Sequence, residues 1–159
     1  MRRLAVLPLL LLLPACSDDG GNGGPSLEER RADYVAQAEE VCAQANDDVE
    51  ALTAPTSVAE VPEYTDSVVE LLQRTVTEVR ALTPPEEDQA ELREKLLTPL
   101  EADVQAAKGY AAQLSAAAEA EDSATLLRLA QELPETSADL EYMREYGLVQ
   151  CAEAIEQAR

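Results

Sequence analysis

Apolar residues recur at intervals of three and four along nearly all of the chain after residue 26, and no other feature constrains the fold as strongly. The first stripe runs through Tyr34, Ala38, Val41, Ala45, Val49 and Leu52. A second uses Val61, Tyr64, Val68, Leu71, Leu72, Thr75, Val79 and Leu82. A third follows Leu92, Leu96, Leu100, Val104, Ala107, Ala111, Leu114 and Ala118, and a fourth Leu126, Leu129, Leu133, Leu140 and Met143. This is the period of an α-helix with one buried face, and no segment alternates as a strand would.

Punctuation between the stripes agrees with that reading. Ser26 followed by Glu29 forms a capping box, so a helix opens at Leu27. Thr53-Ala54-Pro55 closes it, and Pro62 suits the first turn of the next helix, where its missing N–H costs nothing. Thr83-Pro84-Pro85 stops the second helix, and Glu86-Glu87-Asp88 place negative charge at the positive end of the third. Glu119 to Asp122 is a turn, with Ser123 as cap of the fourth helix, and Gly147 reads as a C-terminal glycine cap. Pro99 and Pro134 fall inside the third and fourth stripes, where each removes a hydrogen bond and crowds the preceding turn. The expected fold is all-α: a four-helix up-down bundle with kinked third and fourth helices and one structural disulfide. Its core is Leu, Val and Ala, and so many alanines bring helices close and leave little room for a cofactor.

The first 25 residues are of another kind. Arg2-Arg3 precede an apolar run, Leu4 to Leu13, well short of the ~20 residues a membrane span needs. Leu12-Leu13-Pro14-Ala15-Cys16 then looks like the lipobox of a bacterial lipoprotein, with Pro14 a departure from the usual small or aliphatic residue. Residues 1–15 are thus expected to be a lipoprotein signal peptide and Cys16 the lipidated residue. The competing reading is ordinary signal cleavage after Ala15, which leaves Cys16 a free thiol. Ser17 to Pro25 is rich in glycine, and residues 16–25 form a lipid-anchored flexible tether whose coil spans ~15–18 Å. Residues 26–159 form the bundle domain.

With Cys16 assigned to lipid, Cys42 and Cys151 remain, in a compartment where disulfides persist. A bridge between them closes a loop of about a hundred residues, worth up to ~4–5 kcal/mol by chain entropy. Two buried thiols, or a redox pair, are the alternatives, although the Cys-x-x-Cys spacing of redox pairs is missing. The bridge also poses a geometric question. In an up-down bundle Cys151 lies near the start of the first helix, yet Cys42 sits several turns inside it. Either residues 26–33 overhang the bundle, or residues 148–151 double back along the first helix; a mixture of both is expected.

Composition restricts the chemistry. There is no His, Trp or Phe in the 159 residues. Without His there is no Ser-His-Asp or Cys-His nucleophile, no His-ligated zinc and no Glu-x-x-His di-iron pair. Removing residues 1–15 takes away two arginines and no acid, moving the net charge from −20 to −22. That charge opposes nucleic-acid binding and contact with anionic lipid. The acidic groups Glu39-Glu40, Asp47-Asp48-Glu50, Glu86-Glu87-Asp88 and Glu119-Glu121-Asp122 read as helix surface and helix caps. Neighbouring helical residues diverge, so the doublets are not a glycosidase pair, and no Asp-x-Asp-x-Asp-Gly calcium loop is present. No cofactor or metal site is expected. Tyr142 and Tyr146, four apart, are expected to pack one face on the core with wet hydroxyls, or to form a small recognition patch. Arg30-Arg31 are expected to steady the first helix near lipid headgroups, or to be idle in solvent.

Three segments carry a resemblance: Tyr34-Val35-Ala36-Gln37-Ala38-Glu39-Glu40-Val41-Cys42-Ala43-Gln44-Ala45-Asn46, Leu82-Thr83-Pro84-Pro85, and Tyr146-Gly147-Leu148-Val149-Gln150-Cys151. They resemble a group of small exported helical proteins of actinobacteria to which no activity is assigned. The resemblance implies an envelope location and pairing of Cys42 with Cys151. The expected function is that of a non-catalytic, lipid-anchored helical protein on the extracytoplasmic face of the membrane. It acts as a protein-interaction or spacer module toward an envelope partner. The alternative is a module that holds a small molecule between kinked helices.

Overall fold

The computed structural model describes residues 24–157. The expected signal peptide (residues 1–15), Cys16 and most of the expected tether lie outside the described residues. Within them the chain is all-helical, with no strand. Helix α1 spans Leu27–Glu50, α2 Val61–Ala81, α3 Gln89–Leu92, α4 Thr98–Glu119, α5 Ser123–Leu129, α6 Leu140–Tyr146 and α7 Val149–Gln157.

The capping box forms as the sequence predicts. The Glu29 amide donates to Ser26 Oγ at 3.2 Å, and the Ser26 amide donates to Glu29 Oε2 at 2.7 Å. Helix α1 then buries Tyr34, Ala38 and Cys42, one residue per turn on one face. Pro62 lies in the first turn of α2, and Leu82 leaves that helix in an extended conformation ahead of Pro84-Pro85. The fully buried residues of α2 include Val69 and Val76 rather than Val68, Leu71, Leu72 and Thr75, which remain half-buried.

Pro99 does not break the third helix. Helix α3 passes through a π-turn, Arg93–Leu97, directly into α4. A proline interior to a helix withdraws its own N–H and presses on the carbonyl four residues back, and a widened turn just before it relieves both. The buried face predicted from Leu92 to Leu114 survives this change of pitch, and Tyr110 joins it. Its hydroxyl donates to the Leu129 carbonyl at 2.8 Å.

Pro134, by contrast, splits the fourth helix. Residues 130–139 are non-helical between α5 and α6. The residue before a proline is pushed away from the helical region, so Leu133 cannot continue α5. It stands 51% exposed instead of in the core. Asp103 of α4 holds the intervening segment, accepting from the Ser137 amide at 2.8 Å and from the Ser137 and Thr136 hydroxyls. One cap differs from expectation. Glu121 takes φ 52° in the turn, and Asp122 rather than Ser123 caps α5 by accepting from Thr125 N at 3.0 Å. Asp139 caps α6 in the same way.

Gly147 closes α6 with φ 101°, and the Leu148 amide reaches back to Met143 O at 2.8 Å. This left-handed cap reverses the chain onto α1. Glu39 of α1 receives the first amides of α7, from Gln150 at 3.0 Å and Cys151 at 3.3 Å. Its carboxylate caps donors that no residue of α7 can satisfy. The chain therefore doubles back along α1, and Cys151 meets Cys42 from that side. The start of α1 is mostly exposed, and Arg30 and Arg31 tie it to Glu87 and Asp88.

The core has two parts. The larger gathers Tyr34, Val76, Leu92, Leu96, Met143 and Leu148 from α1, α2, the α3–α4 run, α6 and the residue just before α7. The smaller joins Tyr110, Leu114 and Ala117 of α4 to Leu126 and Leu129 of α5.

Candidate functional site

Cys42 and Cys151 form a disulfide with their Cα atoms 5.1 Å apart and 109 residues between them in sequence. It ties the middle of α1 to the first turn of α7. Beside it opens an apolar cavity of about 170 Å³. Ala38, Cys42 and Ala45 of α1 form one wall, Leu72, Val76 and Val79 of α2 another, and Leu96, Leu100, Cys151 and Ile155 the remainder. No charged residue lines it. Asn46 and Thr75 are its polar residues, and the Thr75 hydroxyl is turned back onto Leu71 O at 2.9 Å. The half-buried stripe Val68, Leu71 and Leu72 faces this space, which explains why that part of the predicted core is left uncovered.

At the other end of α1 lies a polar cluster built on Asp88, the one buried charged residue among those described, at 5% exposure. Arg31 grips it with two parallel bonds, Nε to Oδ2 at 2.5 Å and Nη2 to Oδ1 at 2.6 Å. Tyr146 donates its hydroxyl to Oδ2 at 2.9 Å. The Arg31 hydrogen bonds hold the Asp88 carboxyl below its ordinary range, against the opposing effect of burial. Burial and the adjoining carboxylate push the Tyr146 phenol far upward. Such an acid is a weak base and such a phenol a weak proton donor, so the cluster serves as a clamp. It joins α1 to the turn before α3 and to the end of α6.

The neighbouring Tyr142 ring lies 5.9 Å from Tyr146, with the Lys95 ammonium 4.9 Å from its centroid. Its hydroxyl is buried with no hydrogen-bond partner among the described residues. Burial pushes that phenol up to about 12. The Tyr142 hydroxyl is thus buried, not wet as expected, while half-buried Tyr146 gives its hydroxyl to Asp88.

The acidic groups separate by role. Glu39 caps α7, Asp48 pairs with Arg74, Glu87 and Asp88 pair with Arg30 and Arg31, and Asp122 caps α5. Among the described residues no three His, Cys, Asp or Glu side chains are placed to hold a metal ion. None of the described helices is long and apolar enough to cross a membrane. The chain matches no protein-family model, and no curated protein or solved structure is similar to it.

Proposed function

We propose that this protein is a lipid-anchored module on the extracytoplasmic face of a bacterial membrane, that it acts by binding and not by catalysis, and that it belongs with the small exported helical proteins of actinobacteria. The observation that carries this reading is the Cys42–Cys151 bridge. It is a cross-link of the kind that persists outside the cytoplasm, and it consumes both cysteines other than Cys16. Cys16 is then left with the lipobox-like Leu12–Ala15 before it and a glycine-rich tether after it. The diacylglycerol that such a residue carries supplies the two chains that stable attachment takes. We read α1, α2 and the α3–α4 run as three members of an up-down-up-down bundle, with α5 and α6 sharing the fourth place. On this reading the bundle meets an envelope protein or acts as a spacer. The test is fractionation: the native chain stays with membranes through a salt wash and Cys16→Ser leaves them. A Cys16→Ser protein that still sediments with membranes refutes the anchor.

A second reading is favoured by the cavity beside the disulfide, which suits a small molecule held between helices. Thermal shift separates the two, since a ligand that binds only the folded state raises the melting temperature by mass action.

A further inference from the structure

The cavity beside the disulfide has the properties of a selective site, and its walls define what it selects. Its volume of about 170 Å³ is on the scale, about 150 Å³, of an apolar cavity that admits a benzene-sized molecule, and it is partly open, so a ligand has a way in. With no Asp, Glu, Lys or Arg in the lining, a charged ligand would lose its hydration and gain nothing in return. The surrounding chain, at −20, further disfavours an anion. Of the two polar side chains, Thr75 already spends its proton on Leu71 O. The Asn46 amide makes no hydrogen bond to any described residue, so both its donor and its acceptor are free to serve a ligand.

We propose that this cavity is the binding site for a small uncharged molecule with an apolar body the size of a single ring and one hydrogen-bonding group, which Asn46 meets. The proposal rests on the second reading above and names its ligand class. The apolar body completes the cover of Val68, Leu71 and Leu72, a stripe whose spacing calls for burial that the described residues supply only in part. Small residues on the two cross-linked helices, Ala38 and Ala45 on α1 and Ala154 on α7, leave the space open.

The full chain carrying Cys16→Ser, with the disulfide intact, keeps acyl chains and detergent out of the measurement. It is titrated with toluene, benzyl alcohol and benzoate while the methyl resonances of Leu72, Val76, Val79 and Ile155 are followed by NMR. Toluene and benzyl alcohol shift these methyls saturably, and benzoate binds at least ten-fold more weakly. Asn46→Ala weakens benzyl alcohol by about three- to ten-fold, the worth of one neutral hydrogen bond, and leaves toluene unchanged. Ala45→Phe fills the cavity and abolishes binding of both; Ala154→Leu does the same from the α7 side should the larger substitution prevent folding. Absence of saturable shifts with toluene and benzyl alcohol overturns the proposal and the second reading together. Benzoate binding equally well at the same methyls overturns only the ligand class and leaves the cavity a ligand site. Binding that survives both filled variants lies elsewhere and overturns the assignment, and an equal loss of toluene affinity in Asn46→Ala removes Asn46 from it.

Discussion

Opening the Cys42–Cys151 bridge tests the physical account of the fold most directly. The cysteines are 109 residues apart, so the bridge closes nearly all of the folded domain into one loop. A loop of that size removes denatured-state entropy worth about 4.8 kcal/mol at 25 °C in the chain-entropy relation. A domain of this size has a total stability of about 5–15 kcal/mol, so the bridge is a large fraction of it. In the native state, opening it also frees α7, whose remaining ties to α1 are the Glu39 cap and the burial of Leu148 and Ala152. The expectation is a loss of about 4–5 kcal/mol and a fall in melting temperature of roughly 10–20 °C.

Urea denaturation of the oxidised protein, the same protein reduced, and the Cys42→Ala/Cys151→Ala double variant separates the contributions. Because the effect acts on the unfolded chain, the m-value must rise when the cross-link is opened, as a freer chain exposes more surface. The reduced protein keeps its sulfur atoms and so reports the cross-link without the small void that the alanines add. A reduced form within 1 kcal/mol of the oxidised one, at unchanged m, would sink the loop-entropy account.

The other expectations concern single side chains. Tyr142→Phe removes a buried hydroxyl that has no partner among the described residues, so it leaves stability unchanged or raises it by about 1 kcal/mol in the same urea assay; a loss would show that the hydroxyl is satisfied. Gly147→Ala puts a Cβ 3.3 Å from Val35 Cγ1 at a φ of 101° and destabilises by about 1–2 kcal/mol, read as a lower urea midpoint. The folded Asp88 carboxyl titrates below its ordinary 3.8, so its contribution is complete about a unit above that value and falls progressively as pH drops through the folded one. The stability gap between the native chain and Asp88→Asn should therefore narrow as pH falls from 6 to 2.5, and a gap that stays constant or widens would contradict the clamp. The phenols of Tyr34, Tyr110, Tyr142 and Tyr146 are all raised, chiefly by burial, so the unfolded chain ionises first and stability falls as pH climbs past 10. In a Tyr64→Phe background, which removes the fifth tyrosine, tyrosinate absorbance should appear together with unfolding, not before it.

Features that depend on neighbours in sequence were legible in advance. The Ser26–Glu29 box, Pro62 in a first turn, the glycine cap at 147 and the helical class are each set within a few residues. Where a local choice was finely balanced, the reading slipped by one position, as with Asp122 in place of Ser123 and with the phase of α2. Pattern alone could not fix that phase, because Val68-Val69 and Thr75-Val76 offer two adjacent apolar faces and the packing of α1 and α4 selects between them. The clamp was illegible for a different reason. Arg31, Asp88 and Tyr146 lie 57 and 58 residues from one another, and nothing near any of them names its partner. Glu39 is similar: a surface glutamate in sequence becomes the cap of a helix 111 residues away only once Gly147 turns the chain back. The cavity left one trace, a stripe in α2 longer than the core that covers it.

That cavity and the bridge beside it belong together energetically. An unfilled apolar cavity costs roughly 24 cal/mol per Å³, so 170 Å³ has a ceiling of about 4 kcal/mol, lower because this one is partly open. The bridge contributes about 4.8 kcal/mol by the loop relation and lies in the cavity wall through both of its cysteines. With it, α7 is pinned to α1 at Cys42, and the space between α2 and the cross-linked pair stays open. A spacer would gain stability from a larger apolar residue at Ala45 or Ala154 that packed without strain, whereas a binding module would recover the cost of the void only when a ligand of the right size enters.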